Sequence, residues 1–565
     1  MCGIFCEIRY NKHTITTDNK VLERLRNRGP DSTNNFEFVV NNDITLYFSA
    51  YILWMQGMKL TPQPVEDENG ILLFNGDIFD DTWDKKFSDT YVLMRKLVTC
   101  NSSEQIISQM KTLKGPFSLI YYNKLKNKLF FLRDRIGRNS LLFCKSSNSY
   151  VISSVLGRKY SCIEIPATYI YEFNINEQKL QLHSWNDSLE LVNTLSIENW
   201  LQVIKEQQSQ PDDEFIVDFD NTSSNLSEED DVVQQIEKLS QKYENKLVIL
   251  KHLLDNSIIF KTVMKIVELL EKSVKVRVET QPSKCKDCIK TEIKCNHCTT
   301  GILFSGGLDC TILAFLADKY VPKDQPIDLI NVAFETKNND SYDVPDRITG
   351  RESFEELKRT CGSRQWVFRE VNVSRVKLAE YQSSIIGDLV YPRRTILDES
   401  LGSALWFAAQ GQSDEDETSC RVLLLGSGAD ELFGGYVRHR NAFKRQGWPG
   451  LAKELLLDWK RISFRNLARD NRVISDHGRQ PRLPYLDEDF TEFVLNLKPW
   501  LKCFPSSKLE CGIGDKLILR LVAFYLGLNN VTILPKRALQ FGSRIANKKE
   551  KGNDISKTFQ DIKFI

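Results

Sequence analysis

An acidic segment divides this chain into two parts whose apolar residues follow different periods. Residues 212–231 contain nine acidic residues and no Lys or Arg, which is typical of a linker or a solvated surface loop. Before this segment, short strand-like runs such as residues 71–74 and 117–122 alternate with turn pairs. Strands at this frequency, with few long helical patterns, predict an α+β domain of stacked sheets over residues 2–185.

The second part of the chain begins with a helical period and continues with alternating strands and helices. Val263, Ile266 and Leu270 recur at the spacing of one helix face. From residue 299 onward, apolar β-branched runs alternate with helical patterns, which predicts βαβ units and a mostly parallel sheet. We therefore expect an acidic linker region over residues 186–245, an α/β domain over 246–545 and a C-terminal tail over 546–565.

Composition limits the kinds of protein that this chain can be. Lys and Arg total 76 and Asp and Glu total 75 in 565 residues, so the basic excess typical of a nucleic-acid binder is missing. No apolar run reaches the roughly 18 residues of a membrane-spanning helix, and the amino terminus lacks a signal-peptide pattern. The 14 cysteines are too sparse for a disulfide scaffold. We expect a cytoplasmic protein without membrane or nucleic-acid partners, and a homodimer is compatible with the sequence.

Cys2 is the first residue with a candidate chemical role. Removal of Met1 would leave a free α-amine on Cys2, and such an amine titrates near ~8. It can therefore act as the general base for its own thiol at neutral pH. A cysteine at position 2 is equally compatible with a chance residue at the start of a strand, so other motifs must decide.

Further motifs follow Cys2-Gly3-Ile4 along the first part of the chain. They are Arg-Gly-Pro-Asp at residues 28–31, Asn-Gly-Asp at 75–77, Ser-Asp at 88–89 and Arg-Asp-x-x-Gly at 133–137. This series resembles the class II glutamine amidotransferases, whose N-terminal cysteine hydrolyses glutamine, and it spans most of residues 2–160. The resemblance implies an N-terminal nucleophile hydrolase-like fold, a catalytic set of Cys2, Asn75 and Gly76, and a glutamine-binding set of Arg28, Asp77 and Asp89. In that reading, Asn75 and the Gly76 amide form the oxyanion hole.

Two positions depart from the pattern of that family. The family normally carries a His-x-Arg-Leu segment whose arginine grips the glutamine carboxylate, and the matching stretch here reads Tyr51-Ile52-Leu53-Trp54. Leucine cannot form this ion pair, and losing a charged hydrogen bond costs about 1.5–3 kcal/mol. Asp77 in place of Glu is also one methylene shorter. These departures predict weak, altered or absent glutaminase activity.

A glycine-rich loop in the second part, Ser305-Gly306-Gly307-Leu308-Asp309-Cys310, connects a strand ending at Phe304 to a helix. Its glycines let backbone amides approach a phosphate, and the helix N-terminus adds partial positive charge. Asp309 in the first helical turn can hold Mg²⁺ against a pyrophosphate. A glycine pair after a strand is often only a tight turn, but this context favours phosphate binding. The Lys-Ser/Thr of a Walker loop is missing.

This loop resembles the pyrophosphate-binding loop of adenylating enzymes that release AMP and pyrophosphate. Together with the first domain, the resemblance narrows to the asparagine synthetase family and is closest to the animal asparagine synthetase domain-containing proteins. Residues 426–436 are similar to the second signature of that family, and residues 482–487 and 515–520 add further similarity. The resemblance implies that ATP and aspartate are substrates and that Asp309 and Asp430 hold Mg²⁺. It also implies a catalytic cation that stabilises the adenylated intermediate, at Lys536 or alternatively at Arg537. The residues implied to contact the nucleotide are Ser305, Gly306, Gly307, Asp309, Cys310, Gly428 and Asp430.

Two pairs of cysteines have no counterpart in that family. Cys-x-x-Cys occurs at residues 285–288 and again at 295–298, six residues further on. Four such thiolates can form a tetrahedral structural Zn²⁺ site on Cys285, Cys288, Cys295 and Cys298, and His297 can replace one ligand. A cluster of reduced thiols without metal is the alternative, because the separation is short for a zinc ribbon.

Three functions remain open on the sequence. The first is a glutamine-dependent synthetase that hydrolyses glutamine at Cys2, adenylates a carboxylate and forms an amide. The second is a binding or regulatory protein with weakened sites, because Ser427 and Gln480 stand where the synthetase family carries glutamates and a hydroxyl is no general base near pH 7. The third is an adenylating enzyme for another acceptor, even RNA, which the neutral charge disfavours.

Overall fold

The computed structural model describes residues 2–10, 18–146, 148–186, 193–209, 231–292, 294–336, 341–506, 509, 512–546, 550–560, 562 and 564. Residues 212–230 of the acidic segment lie outside the described residues, so their predicted role as a linker stays a prediction. Two antiparallel sheets come from the chain before this segment, and a parallel sheet comes from the chain after it. This arrangement confirms the fold classes predicted for both parts.

Two antiparallel sheets stack on one another in the first part of the chain. The strands are β1 (Gly3–Tyr10), β2 (Ser32–Asn41), β3 (Ile44–Ile52), β4 (Val65–Glu66), β5 (Gly70–Gly76), β6 (Phe117–Asn123), β7 (Lys128–Arg133), β8 (Leu142–Lys145), β9 (Ser149–Ser153), β10 (Cys162–Glu164), β11 (Tyr169–Asn174), β12 (Lys179–Ser184) and β13 (Asn193–Ser196). One sheet has the order β10-β8-β9-β1-β3-β2, and the other has the order β13-β12-β11-β7-β6-β5-β4. Apolar side chains such as Ile4, Phe48, Leu73 and Phe131 are buried together, because alternate residues of each strand face the partner sheet.

Helices cover both sides of these sheets, and one of them lies in the predicted linker. They are α1 (Asn19–Arg28), α2 (Asp89–Val98), α3 (Ser103–Lys111) and α4 (Ile197–Ser209). Trp200 of α4 is only 1% exposed, and its ring centroid lies 5.0 Å from that of Phe143. The first part of the fold therefore extends through α4, beyond the predicted boundary at residue 185, because apolar α4 residues cover the sheet core.

A five-stranded parallel sheet organises the second part, in the order β16-β15-β14-β17-β18. Its strands are β14 (Thr300–Leu303), β15 (Ile327–Phe334), β16 (Trp366–Val373), β17 (Val422–Leu424) and β18 (Gln480–Arg482). The helices are α5 (Asp231–Lys242), α6 (Lys246–Leu254), α7 (Ser257–Glu279), α8 (Leu308–Asp318), α9 (Pro345–Thr360), α10 (Arg375–Tyr381), α11 (Gly387–Val390), α12 (Ile396–Gln410), α13 (Ala429–Phe433), α14 (Val437–Ile462), α15 (Ala468–Ser475), α16 (Glu488–Leu495), α17 (Pro499–Lys502), α18 (Leu517–Tyr525), α19 (Asn529–Thr532) and α20 (Leu539–Gly542). Every residue of β15 is buried, as expected for a central strand with helices on both faces.

Membrane-spanning helices are not found among the described residues, since none of those helices is long and apolar enough to cross a bilayer.

Ion pairs with buried members connect the two parts of the chain. Among them are Arg421–Asp31, Arg482–Asp77, Arg138–Glu488 and Arg472–Glu164. Breaking a buried pair typically costs about 3–5 kcal/mol, because the remaining charge is left without compensation. The first two pairs hold the start of β17 and the end of β18 against the first part of the chain, and the other two attach α16 and α15 to it.

Candidate active sites

Cys2 lies just before β1 and is 7% exposed. Its backbone nitrogen donates to Asn75 Oδ1 at 2.8 Å, and Asn75 lies near the end of β5. The Asn75 Nδ2 group donates to Ser118 Oγ at 3.2 Å, and an amide nitrogen has a second hydrogen to offer. Burial raises the pKa of the Cys2 thiol. The structure therefore places the predicted nucleophile and an oxyanion-hole candidate side by side.

Gly76 cannot carry a side chain at its position in the fold. A Cβ atom there would lie 2.1 Å from the Pro116 carbonyl oxygen and 2.6 Å from Phe117 Cα. The glycine therefore allows β5 to pass directly against the start of β6, next to Asn75. This close approach gives a packing reason for the second residue of the Asn-Gly-Asp motif.

Arg28 holds the backbone of Cys2 and also contacts the second part of the chain. Its Nε donates to the Cys2 carbonyl oxygen at 3.3 Å, and its Nη2 donates to Asn471 Oδ1 at 3.1 Å. Burial lowers the pKa of this guanidinium to about 10. Among the described residues, the buried Nη1 has no hydrogen-bond partner. Arg28 thus positions Cys2 and leaves one donor for a ligand.

Asp77 is held by side chains from β18 as well as by its own domain. Its carboxylate accepts from Arg482 Nε at 3.1 Å, from Gln480 Nε2, and from Gln56 Nε2 at 3.0 Å. The sequence placed Asp77 among the glutamine ligands, but the structure shows its carboxylate engaged across the interface between the two parts of the chain. This contact was not foreseen, because no short motif records which strand lies opposite Asp77.

Asp89 is a buried carboxyl group in the first turn of α2. It accepts from Thr90 N at 2.8 Å and from Ile78 N at 3.2 Å. Burial, followed by repulsion from Asp77, raises the pKa of Asp89 to about 7. A cationic ligand such as the α-amine of an amino acid would relieve both effects.

The position of Leu53 explains how the departure from the family arginine is accommodated. Leu53 is 3% exposed and packs in a core cluster with Tyr51 and Met55.

Gln63 is a neighbour of Cys2 that the sequence motifs did not predict. Its Nε2 lies 3.9 Å from the Cys2 sulfur, and its Oε1 accepts from Phe74 N at 2.7 Å. Gln63 belongs to no motif quoted above, so only the fold identifies it as a neighbour of Cys2.

We predict that glutamine binding at this site strengthens as the pH rises through 7. A carboxyl with a raised pKa is ionised only above that value, so the attraction of Asp89 for a cationic α-amine is lost as the pH falls. In a Cys2→Ala background, glutamine affinity measured by calorimetry should rise about tenfold between about pH 6 and pH 8. The Asp89→Asn variant should bind weakly at every pH, and wild-type Asp89 with a flat profile would contradict the assignment.

The glycine-rich loop joins β14 to α8 at the carboxyl edge of the parallel sheet. Gly306 has φ +75°, and a Cβ atom there would lie 2.5 Å from the Gly350 backbone in α9. The Ser305 hydroxyl accepts from Gly307 N at 3.4 Å, while the Cys310 thiol donates to the Gly307 carbonyl oxygen at 3.3 Å. The loop is therefore folded by its own residues and pressed against a neighbouring helix.

Two carboxylates and two lysines converge below this loop. Lys516 Nζ lies 2.6 Å from Asp309 Oδ2 and 2.5 Å from Asp430 Oδ1, and Lys536 Nζ lies 2.5 Å from Asp430 Oδ2. Burial opposes ionisation of Asp430, but the two lysines outweigh it and hold its pKa below the ordinary range. Sequence reasoning noted the segment that contains Lys516 without giving this lysine a role.

The turn that carries Asp430 depends on Gly428. This residue has φ +95°, and a Cβ atom there would lie 2.4 Å from Leu486.

Arg537, the other candidate cation, is exposed and donates to Thr349 Oγ1 at 3.2 Å. The structure thus brings Lys536, rather than Arg537, to the carboxylates.

A cavity of about 420 Å³ opens between the two loops. Its walls include Ser305, Gly307, Asp309, Cys310, Gly428, Asp430 and Lys536, with the arginines 393, 438, 461, 465 and 469 on the lining as well. A much smaller cavity, about 10 Å³, lies between Ser427 of this wall and Asn139 and Asn471 near the Cys2 site. The segment 426–436 therefore borders both the large cavity and the interface between the two parts of the chain.

The cysteine pairs gather in the loop between α7 and β14, but not as four cysteines. Ligand atoms of Cys285, Cys288, Cys295 and His297 all lie within 4.8 Å of one another. Cys298 lies outside this group, and its thiol donates to the Thr300 carbonyl oxygen at 3.1 Å. The predicted four-cysteine set is corrected to three cysteines and His297, because Cys298 is buried and hydrogen-bonded at the start of β14.

Comparison with known families defines the class of each part of the chain. Residues 1–158 match the glutamine amidotransferase domain model, and residues 296–452 and 443–526 match the asparagine synthase model. A protein of this class combines an amidotransferase domain with an asparagine synthase domain, which agrees with the stacked sheets, the parallel sheet and the two sites described above.

Full-length relatives narrow this class to one family. The chain is 39% identical to an asparagine synthetase domain-containing protein of Drosophila melanogaster, over 98% of this chain and 100% of the relative. It is 34% identical to asparagine synthetase domain-containing protein 1 of Homo sapiens, over 98% and 96% of the two chains. A putative asparagine synthetase of Methanocaldococcus jannaschii shares 23% identity over 85% of this chain and 79% of the relative. The chain belongs to the family of asparagine synthetase domain-containing proteins.

Proposed function

We propose that this protein is a glutamine-dependent ligase that adenylates a carboxylate, aspartate first among the candidates, and converts it to an amide. One observation carries the proposal: α15 lies between the two sites. Asn471 of α15 accepts from Arg28 at 3.1 Å and donates to Asn139 Oδ1 at 3.0 Å. Arg469 and Asp470 of the same helix line the large cavity. This arrangement suits two reactions that are linked by ammonia, which one site would release and the other would consume.

In the first reaction, the Cys2 sulfur attacks the amide carbon of glutamine. The thiol proton moves to the α-amine of Cys2 and then to the departing nitrogen, so that a thioester forms as ammonia leaves. Asn75 Nδ2 offers its remaining hydrogen to the oxygen that gains negative charge. Asp89 holds the α-amine of the substrate, and water later hydrolyses the thioester to glutamate.

The residues at the nucleotide cavity fit a Mg²⁺ ion. Asp309 Oδ1 is buried without a hydrogen-bond partner among the described residues, and carboxylate oxygens are the ligands that Mg²⁺ prefers. Asp309 and Asp430 would hold the ion, which neutralises charge on the pyrophosphate when bound. Lys516 lies between the same two carboxylates and would be available to the phosphates once they bind.

In the second reaction, a carboxylate oxygen of the acceptor attacks the α-phosphorus of ATP. The bond to the β-phosphate oxygen breaks and pyrophosphate leaves, with Lys536 stabilising the charge that develops. Ammonia then attacks the acyl carbon of the adenylate, AMP departs, and a proton lost from nitrogen passes to solvent. Ser427 lies beside this path but cannot act as a general base near pH 7, so the second reaction relies on the activated acyl group.

The cavity lining carries carboxylates that pair with Arg393, Arg438 and Arg469, and it also holds a local group of cations around Arg465. Burial lowers the pKa of Arg465, and the neighbouring Arg461 and Arg438 lower it further, so positive charge is crowded on this wall. An acceptor that carries a second carboxylate, as aspartate does, would compensate this charge.

The proposal is tested by supplying the protein, with its Cys2 terminus verified, with MgATP, aspartate and either glutamine or ammonium. We expect equal amounts of asparagine and pyrophosphate with ammonium, and a slower reaction with glutamine because Leu53 replaces the carboxylate-binding arginine. Pyrophosphate release with another acidic acceptor, but not with aspartate, would keep the reaction class and change the substrate. Intact ATP binding with no pyrophosphate from any acidic acceptor would favour a regulatory protein.

A further inference from the structure

We propose that Cys285, Cys288, Cys295 and His297 bind one Zn²⁺ ion that stabilises the loop between α7 and β14. This site is separate from both reaction sites and uses no residue assigned to them. Its donors are three thiols and one imidazole, the combination that structural zinc sites use, and the four ligands leave no coordination position open for catalysis.

The distances from the His297 nitrogen to the three cysteine sulfurs match those around a tetrahedral zinc ion. His297 Nδ1 lies 3.6 Å from Cys285 Sγ, 3.4 Å from Cys288 Sγ and 3.7 Å from Cys295 Sγ. Zinc bonds of ordinary length would separate nitrogen from sulfur by about 3.5 Å in a tetrahedron. Cys285 N also donates to Cys295 Sγ at 3.4 Å, a contact that stabilises a thiolate. His297 therefore lies at ligand spacing from all three sulfurs, and the four donor atoms lie within 4.8 Å of one another.

The position of the loop indicates what the ion would stabilise. Lys286 N donates to the Ser419 carbonyl oxygen at 3.0 Å, so the loop is fastened to the segment that enters β17. Lys290 Nζ donates to the Pro30 carbonyl oxygen at 3.4 Å, in the turn that follows Arg28. A metal at this loop would therefore stabilise a surface where the first part of the chain, with Cys2, meets the second part, with the nucleotide cavity.

Metal analysis of the purified full chain tests the proposal directly. We expect about one zinc per chain in the wild type and almost none in the Cys288→Ser and His297→Ala variants. The matched control is Cys298→Ser, which removes the fourth cysteine of the sequence pattern but lies outside the cluster, and it should retain its zinc. Loss of zinc from Cys298→Ser with retention in His297→Ala would overturn the ligand set.

A second measurement needs no variant and therefore does not depend on mutant folding. Wild-type protein treated with a chelator should melt at a lower temperature, recover its melting temperature with Zn²⁺, and develop thiolate charge-transfer absorption with Co²⁺. Protein that contains no metal, shows no such absorption and melts identically with and without Zn²⁺ would overturn the site.

Discussion

Replacing Cys2 with Ala should reduce glutamine-dependent asparagine formation by about 10³-fold or more while ammonium-dependent formation is retained. The reason is that only the glutamine reaction needs the thiol, whereas free ammonia reaches the acyl-adenylate without it. The two donors are compared in the same assay of asparagine and pyrophosphate.

Cys6→Ala is the matched control for this experiment. Cys6 lies on β1 like the residues that follow Cys2, it is fully buried, and burial strongly raises the pKa of its thiol. We expect this variant to keep both activities. Glutamine use that survives in Cys2→Ala would show that ammonia is released elsewhere, and equal loss of both activities would assign Cys2 a structural role.

Replacing Lys536 with Met should reduce pyrophosphate release by about 10²–10³-fold with either nitrogen donor. The ammonium group of Lys536 lies beside Asp430 on the cavity wall, where the proposed adenylation would develop charge as pyrophosphate leaves. Because adenylation precedes amide formation, both donors should be affected equally.

Arg537→Met provides the control for the Lys536 variant. Arg537 is the adjacent cation, but its side chain is exposed and bound to Thr349. We expect pyrophosphate release close to that of the wild type. A larger loss in Arg537→Met than in Lys536→Met would reverse the assignment.

The fold classes were predictable because hydrophobic periodicity is a local property of the sequence. The apolar run of β15 predicts a buried strand, and the glycines after Ser305 predict a turn, in both cases from neighbouring residues alone. The boundary at residue 185 was harder to place, because it depends on what α4 packs against. The buried Ile197, Trp200, Leu201 and Ile204 recur at helical spacing, so the helix itself leaves a signal in the sequence. Its assignment to the first part comes from tertiary packing such as that of Trp200 on Phe143.

The parts of the sites that the sequence did not reveal all depend on contacts between distant segments. Asp77 meets Arg482, which is 405 positions away, and Lys516 reaches Asp309 across 207 positions. The cysteine pattern suggested four cysteine ligands, with His297 as a possible replacement for one, and it is Cys298 that hydrogen-bonds within β14 instead. Motif spacing therefore predicted candidate residues, while the fold determines which side chains meet.

Isotope competition can show whether nitrogen freed at Cys2 reaches an adenylate in the nucleotide cavity. Wild-type protein receives MgATP, aspartate, glutamine labelled with ¹⁵N in its amide, and unlabelled ammonium in excess. Internal passage of ammonia predicts asparagine with ¹⁵N above the level set by the labelled ammonia accumulated in solution. Asparagine labelled only to the solution level, or no asparagine at all, would contradict it.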